Sequence, residues 1–182
     1  MSAVEEEEIR KKWRETPMLK PKVRKVTVNI SVGQSGEPLE KAGKVLQQLT
    51  GQKPVKRKAK QTIRNFGIRK GEPISCVVTL RKEKALEFLT KVLQAVDNKI
   101  SKNCFDNSGN FSFGIKEHIE IPGIKYVPEL GIFGMDISVA LGRAGYRVKE
   151  RRRTKSNIGT NHLITPEEAI VFVRDTIKIE IV

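Results

Sequence analysis

Apolar and polar residues alternate from position 23 to 32. Val26, Val28, Ile30 and Val32 fall on one side, Lys25, Thr27, Asn29 and Ser31 on the other. A period of two predicts a strand with one buried and one wet face. Gly33 and Gly36 then mark a turn, and Pro38 suits the first turn of a helix. Leu39, Ala42, Val45, Leu46 and Leu49 recur at helical spacing, with Gly51 placed as a C-terminal cap. Alternation returns at Ile74, Cys76, Val78 and Leu80, with Ser75, Thr79 and Arg81 facing away and Val77 the exception. Leu86, Leu89, Val92, Leu93 and Val96 predict an amphipathic helix over residues 83–97.

The flanks follow the same rules. Residues 4–15 read as a short helix with acids in its first turn, stopped before Pro17. Phe111, Phe113 and Ile115 predict a strand, as do Ile137, Val139 and Leu141. Thr165-Pro166-Glu167-Glu168 has the form of a capping box and opens a helix through Ile170 and Val173. Ile177, Ile179 and Ile181 predict a last strand. Half-buried strands interrupted by amphipathic helices give an α+β fold, a largely antiparallel sheet with helices on one face. Its other face, carrying Thr27, Asn29, Ser31, Thr79 and Arg81, stays open to a ligand. The length suits one domain over 1–182, with an acidic helix or tail at 1–16 and a basic loop region at 143–160.

Charge changes this picture from a generic domain to a polyanion binder. Residues 41–71 hold ten Lys or Arg and no Asp or Glu, and residues 143–155 hold seven against Glu150 alone. The whole chain carries +14, so outside these two stretches it is slightly acidic. A solvated surface mixes signs because like charges repel; a confined excess is the footprint of a nucleic-acid partner. In the first stretch the charge sits on two short extended pieces, around Val55 and Phe66, and not on a recognition helix. That disfavours an architectural DNA-binding protein. Aromatic residues near the basic stretches are too few for a single-strand stacking platform.

Catalytic chemistry is not signalled. Gly33-Gln34-Ser35-Gly36 lacks the Lys-Ser/Thr of a P-loop and reads as an ordinary turn. His118 and His162 have no cysteine at ligand spacing, and Cys76 and Cys104 form no metal or redox pair. No metal and no cofactor is expected. The aromatic strand Phe111-Ser112-Phe113 has the look of a base-stacking strand, but both rings share a face with Ile115 and belong to the core. No run of eighteen apolar residues occurs, and Glu5 to Glu8 are the reverse of a targeting leader, so a reducing cytoplasmic setting without membrane contact is expected.

Taken in order, Val26-Thr27-Val28-Asn29-Ile30, Leu49-Thr50-Gly51-Gln52-Lys53-Pro54, Phe66-Gly67-Ile68-Arg69-Lys70-Gly71-Glu72-Pro73-Ile74 and Val78-Thr79-Leu80-Arg81 resemble the large-subunit ribosomal protein five family. Gly131-Ile132-Phe133-Gly134-Met135-Asp136 continues the match, and Gly145-Tyr146-Arg147-Val148 with the arginine run is similar to its archaeal and eukaryotic branch. The resemblance implies a non-catalytic protein that binds 5S ribosomal RNA in the central protuberance, among large-subunit RNA and neighbouring proteins. It implies 5S RNA contacts at Asn29, Gln52, Lys53, Lys56, Lys58, Arg64, Thr79 and Arg81. It also implies that the loop Arg69, Lys70, Gly71, Glu72 and Pro73 reaches the peptidyl-site transfer RNA. Residues 122–134 would form an intersubunit bridge to a small-subunit protein. Gly71 and Pro73 are expected to form the projecting tip of that loop.

Overall fold

The computed structural model describes residues 3–124 and 126–181. Strand β1 (Lys22–Ser31) lies at the centre of a five-stranded sheet of order β2-β3-β1-β6-β5. The others are β2 (Val55–Lys58), β3 (Pro73–Leu80), β5 (Phe111–Ile115) and β6 (Met135–Gly142), and every neighbouring pair is antiparallel. Helices α1 (Ala3–Glu15), α2 (Glu37–Thr50), α3 (Glu83–Gln94), α4 (Arg147–Glu150) and α5 (Pro166–Ile177) complete the α+β fold. A short parallel pair, β4 (Lys99–Ile100) with β7 (Glu180–Ile181), stands apart from the main sheet.

The register explains why one face is dry. Val26 sits between Leu80 and Val139, Val28 between Val78 and Ile137, and Ile30 faces Cys76. These rows form one core with Leu39, Ala42, Val45 and Leu46 of α2 and Val171, Phe172 and Val173 of α5. Phe111 pairs with Val139 and Phe113 with Ile137, so both rings lie on the core side, as their spacing with Ile115 requires. The capping box forms in full: the Glu168 amide donates to the Thr165 hydroxyl, and the Glu168 carboxylate accepts from the Thr165 amide. Gly51 caps α2 in the left-handed region at φ 64°, its N–H donating to the Gln47 carbonyl.

Three expectations need correction. Leu86 is 45% exposed, and Ala85 and Phe88 join Leu89, Val92 and Leu93 in the buried stripe of α3. That helix ends at Gln94 and not near Asp97, because Asp97 and Asn98 both take positive φ and the Asn98 amide folds back onto the Leu93 carbonyl. Ile177 closes α5 instead of opening a strand; Lys178 turns left-handed at φ 59°, and only Glu180–Ile181 pair as β7.

The second basic stretch is also divided by the fold. Arg143 is buried, 6% exposed, with its guanidinium on the Glu168 carboxylate at 2.5 Å and on the carbonyls of His162 and Leu163. It belongs to the scaffold. Tyr146, also buried, donates its hydroxyl to the His162 carbonyl and accepts from the Ile164 amide. Together they fasten the residues before α5 to the end of β6.

Candidate nucleic-acid interface

The open face of the sheet is built from cross-strand rows. Thr27 lies between Thr79 and Ser138, and Ser138 faces Ser112. Asn29 lies between Val77 and Asp136, with Val55 beyond Val77 and Gly114 beyond Asp136. Ser31 faces Ser75, which faces Arg57. Alternation places every one of these on the face opposite the core. The Asn29 amide donates to the Ser31 hydroxyl at 2.9 Å, which fixes its rotamer and leaves its carbonyl oxygen available. Hydroxyls and amides spaced about 4.8 Å apart along each row can bond phosphates, 2′-hydroxyls and base edges along a groove.

The residues expected to touch RNA do not all share this surface. Asn29 and Thr79 lie on it, and Arg81 stands at the end of β3 on the same side. Gln52 and Lys53 follow the α2 cap, where Gln52 is tied to Thr50. Lys56 faces Cys76, a core residue, so it points toward the helix side of the edge strand and pairs with Glu40 at 3.5 Å. Its neighbour Arg57 takes the open face instead. Lys58 follows a register shift at the strand end. Arg64 is carried away from the sheet by the loop.

That loop is an extension of the β2–β3 hairpin. The Ala59 amide donates to the Glu72 carbonyl and the Gly71 amide to the Ala59 carbonyl, at 2.8 and 2.9 Å. Ile63 and Ile68 pair further out, each amide donating to the other's carbonyl. The tip is therefore a 3-10 turn at Arg64–Phe66, closed by Gly67 at φ 68°. Gly71 and Pro73 lie at the loop's base, against expectation. The Glu72 carboxylate accepts from the Ser35 hydroxyl and the Arg69 amide, and these bonds hold it below the usual carboxylate range. Glu72 thus braces the loop, while the side chains of Arg69 and Lys70 remain exposed. Phe66 at the tip is 75% exposed beside Arg64.

Sequence reasoning missed Arg57, Ser138, Ser112, Asp136 and Phe66. The serines and Asp136 were recoverable from the alternation of Phe111, Phe113, Ile137 and Val139. Phe66 carried no such signal, because exposure at a loop tip is a tertiary property. Among the described residues no group of three or more metal-ligating side chains comes together.

The family model for ribosomal protein L5 matches residues 16–69, and the model for the C-terminus of the same ribosomal family matches residues 73–172. The chain is 54% identical over 167 residues to large ribosomal subunit protein uL5 of Aeropyrum pernix, covering 91% of this chain and 87% of that protein. It is 52% identical over 165 residues to uL5 of Pyrobaculum aerophilum, covering 91% and 92%. With uL5 of Nitrosopumilus maritimus it shares 48% over 155 residues, covering 85% and 90%. The main sheet joins strands from both matched regions, β1 and β2 from the first and β3, β5 and β6 from the second. The chain belongs to the ribosomal protein L5 family, non-enzymatic structural proteins of the large subunit of the cytoplasmic ribosome in these archaea.

Proposed function

We propose that the chain acts as one RNA-binding unit that seats 5S ribosomal RNA on the open face of the sheet. The observation that carries this reading is the register: Thr79, Thr27, Ser138 and Ser112 form one polar row, and Asn29 and Asp136 form part of the next. Cations stand at the edges of these rows, Arg57 on β2, Arg81 past β3 and Lys25 on β1. Cations supply affinity through counterion release, and the fixed polar rows supply register. Asp136, opposite Asn29, accepts hydrogen bonds from base amino groups and repels misplaced phosphates.

The hairpin extension gives a second surface. Its Arg64, Phe66, Arg69 and Lys70 suit a second RNA that arrives and leaves, the peptidyl-site transfer RNA. The residues 122–134 supply the bridge to a small-subunit protein, with Tyr126 and Ile132 exposed there. Large-subunit RNA and neighbouring central-protuberance proteins occupy the remaining basic surface.

The test is to incubate the purified chain with total cellular RNA and sequence what it retains. Enrichment of 5S RNA over other structured RNAs of similar length is expected. Equal retention of all structured RNAs would leave only a general RNA binder.

A further inference from the structure

At one end of the open face, where β3 stops and β1 begins, the surface sinks into a cavity of about 310 Å³. Arg24, Lys25, Arg81, Tyr146, Lys149 and Glu150 line it. In a regular strand Arg24 and Lys25 would point to opposite faces. Here the pairing of β1 with β6 shifts register between Val23 and Lys25, and the extra residue brings both side chains to one cavity. Gly142 makes room for this: a Cβ there would collide with the Arg24 side chain. Arg24 then reaches across to Glu150 in a two-pronged pair, with bonds of 2.5 and 2.6 Å.

Among the described residues Lys25, Arg81 and Lys149 form no such two-pronged pair. Extending the register that pairs Val26 with Leu80 sets Lys25 beside Arg81, both on the open face. Lys149 approaches from α4, its ammonium 4.8 Å from the centroid of the Tyr146 ring. That ring is immobilised by its two hydrogen bonds to the segment before α5. The cavity is therefore a walled site in which four cations face one acid, and that acid is already engaged by Arg24. The Arg24 pair, helped by the nearby Lys149 and Lys25, also keeps Glu150 ionised and below its ordinary range.

We propose that this cavity is a phosphate-binding site of the RNA interface, in which Lys25, Arg81 and Lys149 hold backbone phosphates of the bound RNA while the Arg24–Glu150 pair forms its wall. The assignment rests on the RNA-binding reading above and extends it. It makes the second basic stretch continuous with the sheet, through Lys149, and gives the bulge at Arg24 a purpose. A phosphate here would lock the strand rows in register with the RNA backbone from the end opposite the β2–β3 loop.

The experiment measures the affinity of the full chain for in-vitro-transcribed 5S ribosomal RNA across a series of potassium chloride concentrations. Lys25→Gln with Lys149→Gln should flatten the slope of log affinity against log salt by about 1.4–1.8, two phosphate contacts' worth. Between 0.1 and 0.4 M salt the wild type should then lose about 7- to 12-fold more affinity than the variant. Lys11→Gln with Lys12→Gln, an equal charge loss on the exposed side of α1, should leave the slope at its wild-type value. Equal flattening by both variants would reduce the effect to net charge and overturn the site. An unchanged slope in the Lys25/Lys149 variant, as a pocket for an acidic protein would give, also overturns it. A wild-type chain that binds this RNA without salt dependence would remove the underlying RNA reading itself, and the two failures are told apart by the wild-type slope.

Discussion

His118 and Phe133 hold each other through two hydrogen bonds: the His118 amide donates to the Phe133 carbonyl at 3.1 Å, and the Phe133 amide donates to His118 Nδ1 at 3.3 Å. The pair closes the long connection between β5 and β6 at its root. With Nδ1 accepting, the ring proton sits on Nε2, so the bond requires a neutral imidazole. His118 is 4% exposed, and burial, the largest effect, lowers its pKa below the ordinary histidine value against the opposing effects of the Phe133 backbone and Glu117.

A pH dependence follows from that arrangement. The unfolded chain takes up a proton at about pH 6.5, while the folded chain resists it. The stability contributed by neutral His118 is therefore complete above that value and is lost as pH falls toward the depressed folded pKa. The melting temperature should drop between pH 7.5 and 5.5, and His118→Asn, whose Oδ1 can accept from Phe133 without titrating, should drop less. Parallel melting curves for the two proteins would contradict this role.

Arg143 should behave as a scaffold residue despite lying in a basic stretch. Arg143→Ala removes the donor of the Leu163 carbonyl and the charged partner of Glu168, which keeps the Thr165 amide, while the His162 carbonyl keeps the Tyr146 hydroxyl. The expected loss is about 3–5 kcal/mol in urea denaturation, the scale of a broken buried pair. Arg143→Lys should rescue little of it, because an ammonium cannot reproduce the guanidinium fork. A loss under about 1 kcal/mol would mean that the pair adds nothing over packing.

The register separates positioning from electrostatics. If about five cations meet phosphates, the salt slope for 5S RNA should be about −3.5 to −4.5. Arg57→Ala, on the open face, should reduce that slope by about 0.7–0.9, while Lys56→Ala, paired with Glu40 on the helix side, should change it less. Asn29→Ala or Thr79→Ala should cost roughly 1–3 kcal/mol of affinity with the slope retained. Identical slope changes in all four would erase the distinction between the two faces of β2.

The hairpin extension should act apart from the sheet. Arg69→Ala with Lys70→Ala should leave 5S RNA affinity within about threefold, or roughly 0.7 kcal/mol. Ribosomes carrying that double variant, or Phe66→Ala at the tip, should retain peptidyl-site transfer RNA less well. Loss of 5S protection with an unchanged transfer RNA footprint would reverse the assignment.

Local patterns determined much of this protein. The alternation at Val26, Val28 and Ile30 selects the buried face of β1, and Thr165 with Glu168 sets the start of α5; both depend on residues a few positions apart. The same periodicity put Asn29 and Thr79 on the wet face. Only tertiary pairing decided that Arg57 and not Lys56 shares that face, since the orientation of a wholly exposed strand is set by its partner, here Cys76 opposite Lys56. Pairing of Ile63 with Ile68 likewise moved the loop tip to Phe66, and the bulge at Arg24 turned two consecutive cations into one cavity. Arg143 looked like its basic neighbours until the fold brought Glu168, twenty-five residues on, against it. Charge along the chain announces a polyanion, but the direction each charge faces depends on which distant backbone pairs with its own.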